Sequence, residues 1–174
     1  MRRPLRAPTP PGVTLERDEH GIPHVRAETL DGALWGMGYC HARDRGLQMS
    51  LMRILGQGRA SELLAATDEM LEVDRFFRRM GWTGAMQQQL RILDAPTTAL
   101  LQRYCEGVDA RLLRRPPLEL RLLRVRPEPW RIEHCMLLSR MMGYLTLAQS
   151  QAEVERLLVQ LVQAGVDDER LRAL

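Results

Sequence analysis

Residues 13–27 constrain the fold more than any other stretch, because the alternating pattern of β-strands is confined to them. The segments 13–17 and 23–27 alternate apolar and polar residues, and residues 18–21 between them have the composition of a turn. A lone hairpin is only marginally stable in water. The pattern therefore predicts a β-hairpin that joins a larger sheet, and it predicts that the rest of that sheet belongs to a partner.

From Thr29 onward the periodicity is helical, and Thr29 itself is a predicted N-cap. Gly56 and Gly58 are expected to end the first helix. Further helices are predicted over 61–64 and 68–80, from Thr83, from Thr97 or Thr98 to Leu112, and over 131–147 and 151–164, with Gly165 as the C′ residue of the last. In 68–80, Leu71, Phe76, Phe77 and Met80 are expected to face packing partners. The Pro- and Arg-rich residues 1–12 predict a poorly ordered or draped arm ahead of one domain, 13–174.

The composition excludes several classes of protein. With 45% hydrophobic residues in 174, the chain can bury a core, and it contains no apolar run of about 20 residues that would span a membrane. The basic N-terminus leads into prolines instead of an apolar segment, so we expect a cytoplasmic location, or a periplasmic one after removal of a signal. All 25 cationic residues are arginine, which excludes chemistry that needs a lysine nucleophile.

No complete active site is evident from the residue types alone. Cys40–His41 and His134–Cys135 place a thiol beside an imidazole, but neighbours on a helix point about 100° apart, so core cysteines are predicted instead of dyads. None of the four serines lies in a Gly-x-Ser-x-Gly turn. His20 and His24 are separated by a turn and lack a third ligand, which argues against zinc.

Seven arginines between 111 and 131 face only Glu119 and Glu128 in the sequence. Such a run permits a nucleic-acid site, although Trp130 alone offers an aromatic ring for stacking. A solvated or subunit-contact face is the preferred interpretation, so no nucleic-acid partner and no membrane are expected. Gly36 and Gly38, which stand within a helical pattern, are expected to permit close packing of helices.

Five short motifs occur in the order known from one family. Residues 17–27 (RDEHGIPHVRA) are followed by 31–49 (DGALWGMGYCHARDRGLQM), 58–63 (GRASEL), 104–110 (YCEGVDA) and 127–130 (PEPW). Together they resemble the α chain of the penicillin acylase (penicillin amidase) family of N-terminal-nucleophile hydrolases. The resemblance extends over about residues 13–160.

The resemblance implies an α+β fold, the four-layer αββα assembly of these hydrolases, to which this chain contributes mainly helices and the hairpin. It implies an autoproteolytic precursor and a heterodimer whose catalytic serine begins the separate β chain, so no catalytic residue is expected in this chain. The reaction implied is hydrolysis of a linear amide through an acyl-serine intermediate. The substrate would be a β-lactam side-chain amide or an N-acyl-homoserine lactone, which corresponds to antibiotic metabolism or quorum quenching.

The family also implies two roles within 139–155. The helix of residues 139–147 would line the acyl pocket through Met142, Tyr144, Leu145 and Thr146, although ordinary helix core explains the same residues. Glu153 would complete a calcium site otherwise built from β-chain oxygens. The spacing of Ser150 and Glu153 also fits a capping box, which needs no metal. A stand-alone helical binding protein without catalysis remains the alternative for the whole chain.

Overall fold

The computed structural model describes residues 3–5 and 7–172, and its contacts divide the chain into two compact units, 1–138 and 139–174. The strands are β1 (Arg3–Pro4), β2 (Val13–Arg17) and β3 (Pro23–Ala27). The helices are α1 (Leu30–Gly56), α2 (Ala60–Leu63), α3 (Asp68–Met80), α4 (Trp82–Leu90), α5 (Ala95–Leu112), α6 (Leu118–Leu122), α7 (Ile132–Gly143), a π-helical segment (Tyr144–Ala148), α8 (Gln149–Gln163) and α9 (Asp168–Leu171). The first unit contains the sheet and α1–α6.

The sheet is antiparallel in the order β1–β2–β3, and Leu15 of β2 lies opposite Val25 of β3. This confirms the predicted hairpin. Residues 1–12 were expected to form a poorly ordered or draped arm, and Arg3 and Pro4 of this arm pair with the outer edge of β2. Within the described residues β3 pairs with β2 alone, so its other edge has no strand beside it.

The hairpin packs on α1 because small residues of the helix face the sheet. A Cβ atom on Gly36 would lie 2.5 Å from Val25 Cγ1, and one on Gly32 would lie 2.8 Å from Val13 Cγ2. The predicted N-cap is confirmed, since Thr29 Oγ1 accepts a hydrogen bond of 3.1 Å from the Gly32 amide. The helix ends at Gly56, and Gly58 then adopts a left-handed φ of +63°.

The main core of the first unit forms where α1 crosses α5. Ile54, Val108 and Leu112 are fully buried there, with Leu120 and Trp130 packed in the same cluster. The predicted role of the α1 glycines is confirmed at Gly38, whose hydrogen atoms lie against the backbone of α5. Burying side chains of this size contributes about 1.5–3 kcal/mol each.

The two threonine N-caps that were predicted for α4 and α5 were wrong. Helix α4 begins at Trp82 after Gly81, and the Thr83 hydroxyl donates to the Gly56 carbonyl oxygen (3.2 Å) instead of capping. Helix α5 begins at Ala95, where Asp94 Oδ1 accepts a 2.7 Å bond from the Thr97 amide.

Two of the α3 residues that were expected to face packing partners do so as a pair, since the Phe76 ring makes an edge-on contact with the Phe77 ring. Leu71 and Phe76 are 38% and 39% exposed, so neither side chain is fully buried in this chain.

The predicted break between two C-terminal helices was wrong as well. Residues 144–148 form a π-helical segment that joins α7 directly to α8, so 148–150 contain no interruption. Gly165 after α8 has the predicted left-handed conformation, with φ +77°.

Candidate functional site

The four expected pocket residues, Met142, Tyr144, Leu145 and Thr146, lie at the junction of α7 and the π-helical segment. In a π-helical turn the backbone hydrogen bond joins residues five apart instead of four. The Thr146 hydroxyl donates to the Met142 carbonyl oxygen (2.6 Å) at the start of this segment. Single π turns within α-helices are frequent at functional sites. The helix is therefore irregular at the residues that the sequence singled out.

Three of these side chains, Met142, Leu145 and Thr146, are exposed in the isolated chain, and Tyr144 is half-buried. Met142 is 51% exposed, Leu145 39% and Leu147 75%. Along α8 further apolar side chains are exposed in the same way, namely Val154, Leu157, Leu158, Val159 and Val162. Large exposed apolar surfaces mark sites of interaction or ligand binding. The ordinary-core interpretation of Met142 and Leu145 therefore has no support within the described residues.

Glu153 lies on the exposed surface of α8, and the capping-box interpretation was wrong. Ser150 is inside the continuous helix, where its hydroxyl donates to the Thr146 carbonyl oxygen (3.0 Å). Neighbouring Glu155 accepts a 2.7 Å bond from Gln151 Nε2, whereas no such bond is made by Glu153. No cluster of three or more potential metal ligands exists within the described residues. Glu153 is therefore an exposed carboxylate of α8 that has no capping role.

The first motif, residues 17–27, has a structural role. The Arg17 guanidinium donates to the Gly21 carbonyl and to Asp44, which fastens the hairpin to α1. Asp18 accepts from His24 (2.9 Å), and this bond, together with two backbone amides, lowers the pKa of its carboxyl. His24 is thereby hydrogen-bonded to the turn that joins β2 and β3.

The later motifs are joined by ion pairs around one buried arginine. Arg53 is 1% exposed, donates to the Glu128 carbonyl oxygen (3.1 Å) and lies 5.5 Å from the centre of the Trp130 ring. Arg59 binds the carboxylate of the same Glu128 (3.2 Å), and Asp109 accepts from the Trp130 amide (2.7 Å). The motifs 58–63, 104–110 and 127–130 therefore meet in space.

Asp74 caps the N-terminus of α2, although it belongs to none of the sequence motifs. Its carboxylate is 2% exposed and accepts from the Ala60 amide (2.6 Å), the Ser61 amide (2.9 Å) and the Ser61 hydroxyl (2.5 Å). Burial raises the pKa of Asp74, but these bonds outweigh it and the pKa is lowered. Nothing in the local sequence around Ala60 indicates this distant cap.

The predicted absence of thiol–imidazole dyads agrees with the geometry. His134 Nδ1 accepts from the Arg131 amide (3.1 Å), and burial lowers the pKa of this imidazole to about 4. Cys135, the next residue, instead lies 4.0 Å from Cys105, sulfur to sulfur. His41 pairs with the Tyr104 hydroxyl (2.9 Å) and not with the buried Cys40. The contact between Cys105 and Cys135, 30 residues apart, was not expected from the sequence.

The arginine-dense stretch is mostly solvated. Arg114, Arg121, Arg124 and Arg126 are exposed, and a short helix, α6, interrupts the stretch. Glu128 was counted against these arginines in the sequence, but it binds Arg53 and Arg59 instead. No helix within the described residues is long and apolar enough to cross a membrane.

Together, a mainly helical chain with a small N-terminal antiparallel sheet defines the class that was expected, α+β. Residues 12–174 match the penicillin amidase family, and the chain belongs to that family. The solved structure of a thermostable penicillin G acylase from Alcaligenes faecalis, an N-terminal-nucleophile hydrolase, superposes with a TM-score of 0.69 at 27% identity. The match covers 92% of this chain and 87% of that one.

Curated relatives fall into two groups by name. The penicillin acylase 2 proenzyme of Pseudomonas sp. (strain SE83) is 38% identical over 135 residues, which are 76% of this chain and 17% of that protein. The acyl-homoserine lactone acylase QuiP of Pseudomonas aeruginosa is 32% identical over 148 residues, 83% of this chain and 17% of that protein. The chain thus spans about a sixth of the length of these relatives.

Proposed function

We propose that this chain is the small subunit of a two-chain amidohydrolase and that it shapes the acyl pocket of that enzyme. The proposal rests on a comparison of the length of this chain with the lengths of two relatives. The chain aligns with 87% of a single solved chain of penicillin G acylase but with only 17% of the Pseudomonas proenzyme. The solved relative therefore contains a separate chain of about the length of this one. In the Pseudomonas proenzyme, the region that matches this chain is a small part of a much longer polypeptide.

The surface of the chain supports a large partner. The free edge of β3 can accept a further strand, because unpaired backbone groups at a sheet edge form hydrogen bonds with an added strand. The exposed apolar side chains of α8 would be covered in the same assembly. Obligate partners of this kind often have no stable free form.

The proposed chemistry is hydrolysis of a linear amide through an acyl-serine intermediate. The serine would be the first residue of the β chain, with its own α-amino group as base, and that chain would also supply the oxyanion hole. This chain would contribute Met142, Tyr144, Leu145 and Thr146 to the acyl pocket. The π-helical turn supports this assignment, since it distorts the helix at these residues.

We further propose that Glu153 supplies one ligand to a structural calcium ion. The carboxylate is exposed, has no capping role, and is the hard oxygen type that calcium prefers. The ion would join this chain to its partner and take no part in the chemistry.

The full-length gene product, purified under native conditions, tests the subunit assignment. We expect intact-mass analysis to show two chains, the second several times larger than this one. A serine-directed sulfonyl fluoride should modify the first residue of the large chain, on its serine hydroxyl, and abolish amide hydrolysis. Residues 1–174 expressed alone should be inactive. A stably folded but inactive monomer of 1–174 would support the stand-alone binding protein instead, and an active monomer would contradict the subunit assignment.

The choice between two substrate classes is tested on the same preparation. Relatives named as penicillin acylase and as acyl-homoserine lactone acylase both match this chain. Comparing kcat/KM for a β-lactam carrying an acylated amine with that for N-acyl-homoserine lactones of several lengths identifies the preferred leaving group. No hydrolysis of either class would contradict the proposed activity.

A further inference from the structure

Cys135 lies in an environment that differs from those of the other two cysteines. Its Sγ accepts a 3.3 Å bond from Trp130 Nε1–H and lies 4.0 Å from Cys105 Sγ. Cys40 and Cys105 are buried, at 3% and 1% exposure, whereas Cys135 is partly exposed.

The exposed side of Cys135 opens into a cavity of about 310 Å³ between α1, α5 and α7. Its walls are largely aliphatic and include Leu34, Met37, Leu100 and Leu138. The polar side chains that line this cavity are Trp130, which bonds to the sulfur, and Tyr104 and His41, which bond to each other. A small apolar molecule can therefore reach the thiol, while the walls disfavour a charged one.

The two neighbours of Cys135 stabilise a negative charge on its sulfur. A thiolate has no hydrogen to give, so Cys105 must act as the donor in the sulfur–sulfur contact, and Trp130 Nε1–H is a donor in every state. The bond from Cys105 and then that from Trp130 lower the pKa of Cys135, against burial and the nearby charge of Glu133. Burial raises the pKa of Cys40 and of Tyr104, so Tyr104 adds no competing anion.

We propose that Cys135 is a site of covalent modification that takes small, apolar electrophiles of the α,β-unsaturated carbonyl class. The Cys135 thiol gives its proton to water, and the thiolate Sγ forms a bond to the β-carbon of the electrophile. The π electrons of the broken carbon–carbon double bond move to the α-carbon, which takes a proton from water. No oxidant or leaving group is needed, and the reaction is independent of amide hydrolysis.

The three cysteines provide internal controls for a labelling experiment on the full-length gene product in its native state. After a short exposure to N-ethylmaleimide, peptide mapping should place the adduct on Cys135 at least tenfold faster than on Cys40 or Cys105. A maleimide that carries a carboxylate should not label Cys135 faster than the other two cysteines. For this comparison, the labelling rate of each reagent is divided by its rate of reaction with glutathione. Equal labelling of Cys40 and Cys135, or equal normalised rates for the two reagents, would overturn the proposal.

A pair of substitutions at Cys105 tests the role of the donor. Cys105→Ser keeps a hydrogen-bond donor beside Cys135, whereas Cys105→Ala removes it. We expect the pH midpoint of Cys135 labelling to rise in Cys105→Ala and to stay low in Cys105→Ser, with the rate at neutral pH about fivefold lower in the alanine variant. Trp130→Phe removes the second donor and should shift the midpoint in the same direction. Identical midpoints for the alanine and serine variants would contradict the donor argument.

Discussion

Gly38 and Gly107 occupy reciprocal positions where α1 crosses α5, each against the backbone of the other helix. A Cβ atom on Gly38 would lie 2.1 Å from the Tyr104 carbonyl oxygen, and one on Gly107 would lie 1.9 Å from the Trp35 carbonyl oxygen. Backbone atoms of a packed helix cannot rotate away as side chains can. The separation of the two longest helices is therefore set by the absence of side chains at these two positions.

Gly38→Ala and Gly107→Ala should each lower the free energy of unfolding by about 3 kcal/mol or more, because the helices must move apart and the core between them loosens. Gly84→Ala is the matched control. A Cβ atom there meets nothing within 4 Å, and alanine in a helix is favoured over glycine by about 0.5–1 kcal/mol. Denaturant unfolding of the native protein measures all three, and equal stability of Gly38→Ala and Gly84→Ala would contradict the close-packing argument.

His134 should make the stability depend on pH between about 6.5 and 4. Burial, with Arg53 and Arg131 nearby, lowers the pKa of the folded imidazole from 6.5 to about 4. Between pH 6.5 and about 4, His134 is therefore protonated in the unfolded chain but mostly neutral in the folded chain. This contribution to stability is present above pH 6.5 and is lost as the pH falls toward 4, up to about 3 kcal/mol.

The variant His134→Asn keeps an acceptor for the Arg131 amide but cannot be protonated. Its free energy of unfolding should fall less than that of the wild type between pH 7 and pH 4 in urea titrations. Parallel pH curves for wild type and His134→Asn would show that His134 is not the group responsible.

Met142→Ala should change acyl-chain preference more than stability. The side chain is 51% exposed in this chain, so its truncation removes little buried surface here. Removing a few methylene groups from a pocket wall changes discrimination by about 10- to 200-fold. We expect the ratio of kcat/KM between short and long acyl groups to change by at least that lower factor. The highly exposed Ile92→Ala is the control, and an unchanged ratio in Met142→Ala would remove this residue from the pocket.

Glu153→Gln should lower the melting temperature of the purified enzyme, and added calcium should restore part of the loss by mass action. An amide supplies a neutral oxygen where the ion favours a charged one. Glu155→Gln is the control two residues away, because Glu155 already bonds to Gln151. The metal role would be excluded if a calcium chelator left the melting temperature of the wild-type enzyme unchanged and the two variants had equal melting temperatures.

The sequence alone predicted the features that depend on a few adjacent residues. Three such features were confirmed: the turn between β2 and β3, the Thr29 cap and Gly165 after α8. Each depends on the backbone conformation of only a few neighbouring residues. The five motifs, taken in order, also led to the family that the comparisons show. Their spacing could be matched without knowledge of any contact.

Contacts between distant residues decided the rest. The Ser150–Glu153 spacing fits a capping box, but a π-helical turn continues the helix through it, so the same residues make different bonds. Asp74 caps a helix 14 residues earlier in the chain, and Cys105 meets Cys135 across 30 residues. Such pairs form only after helices dock, since docking, and not the local sequence, determines which donors and acceptors come within bonding distance.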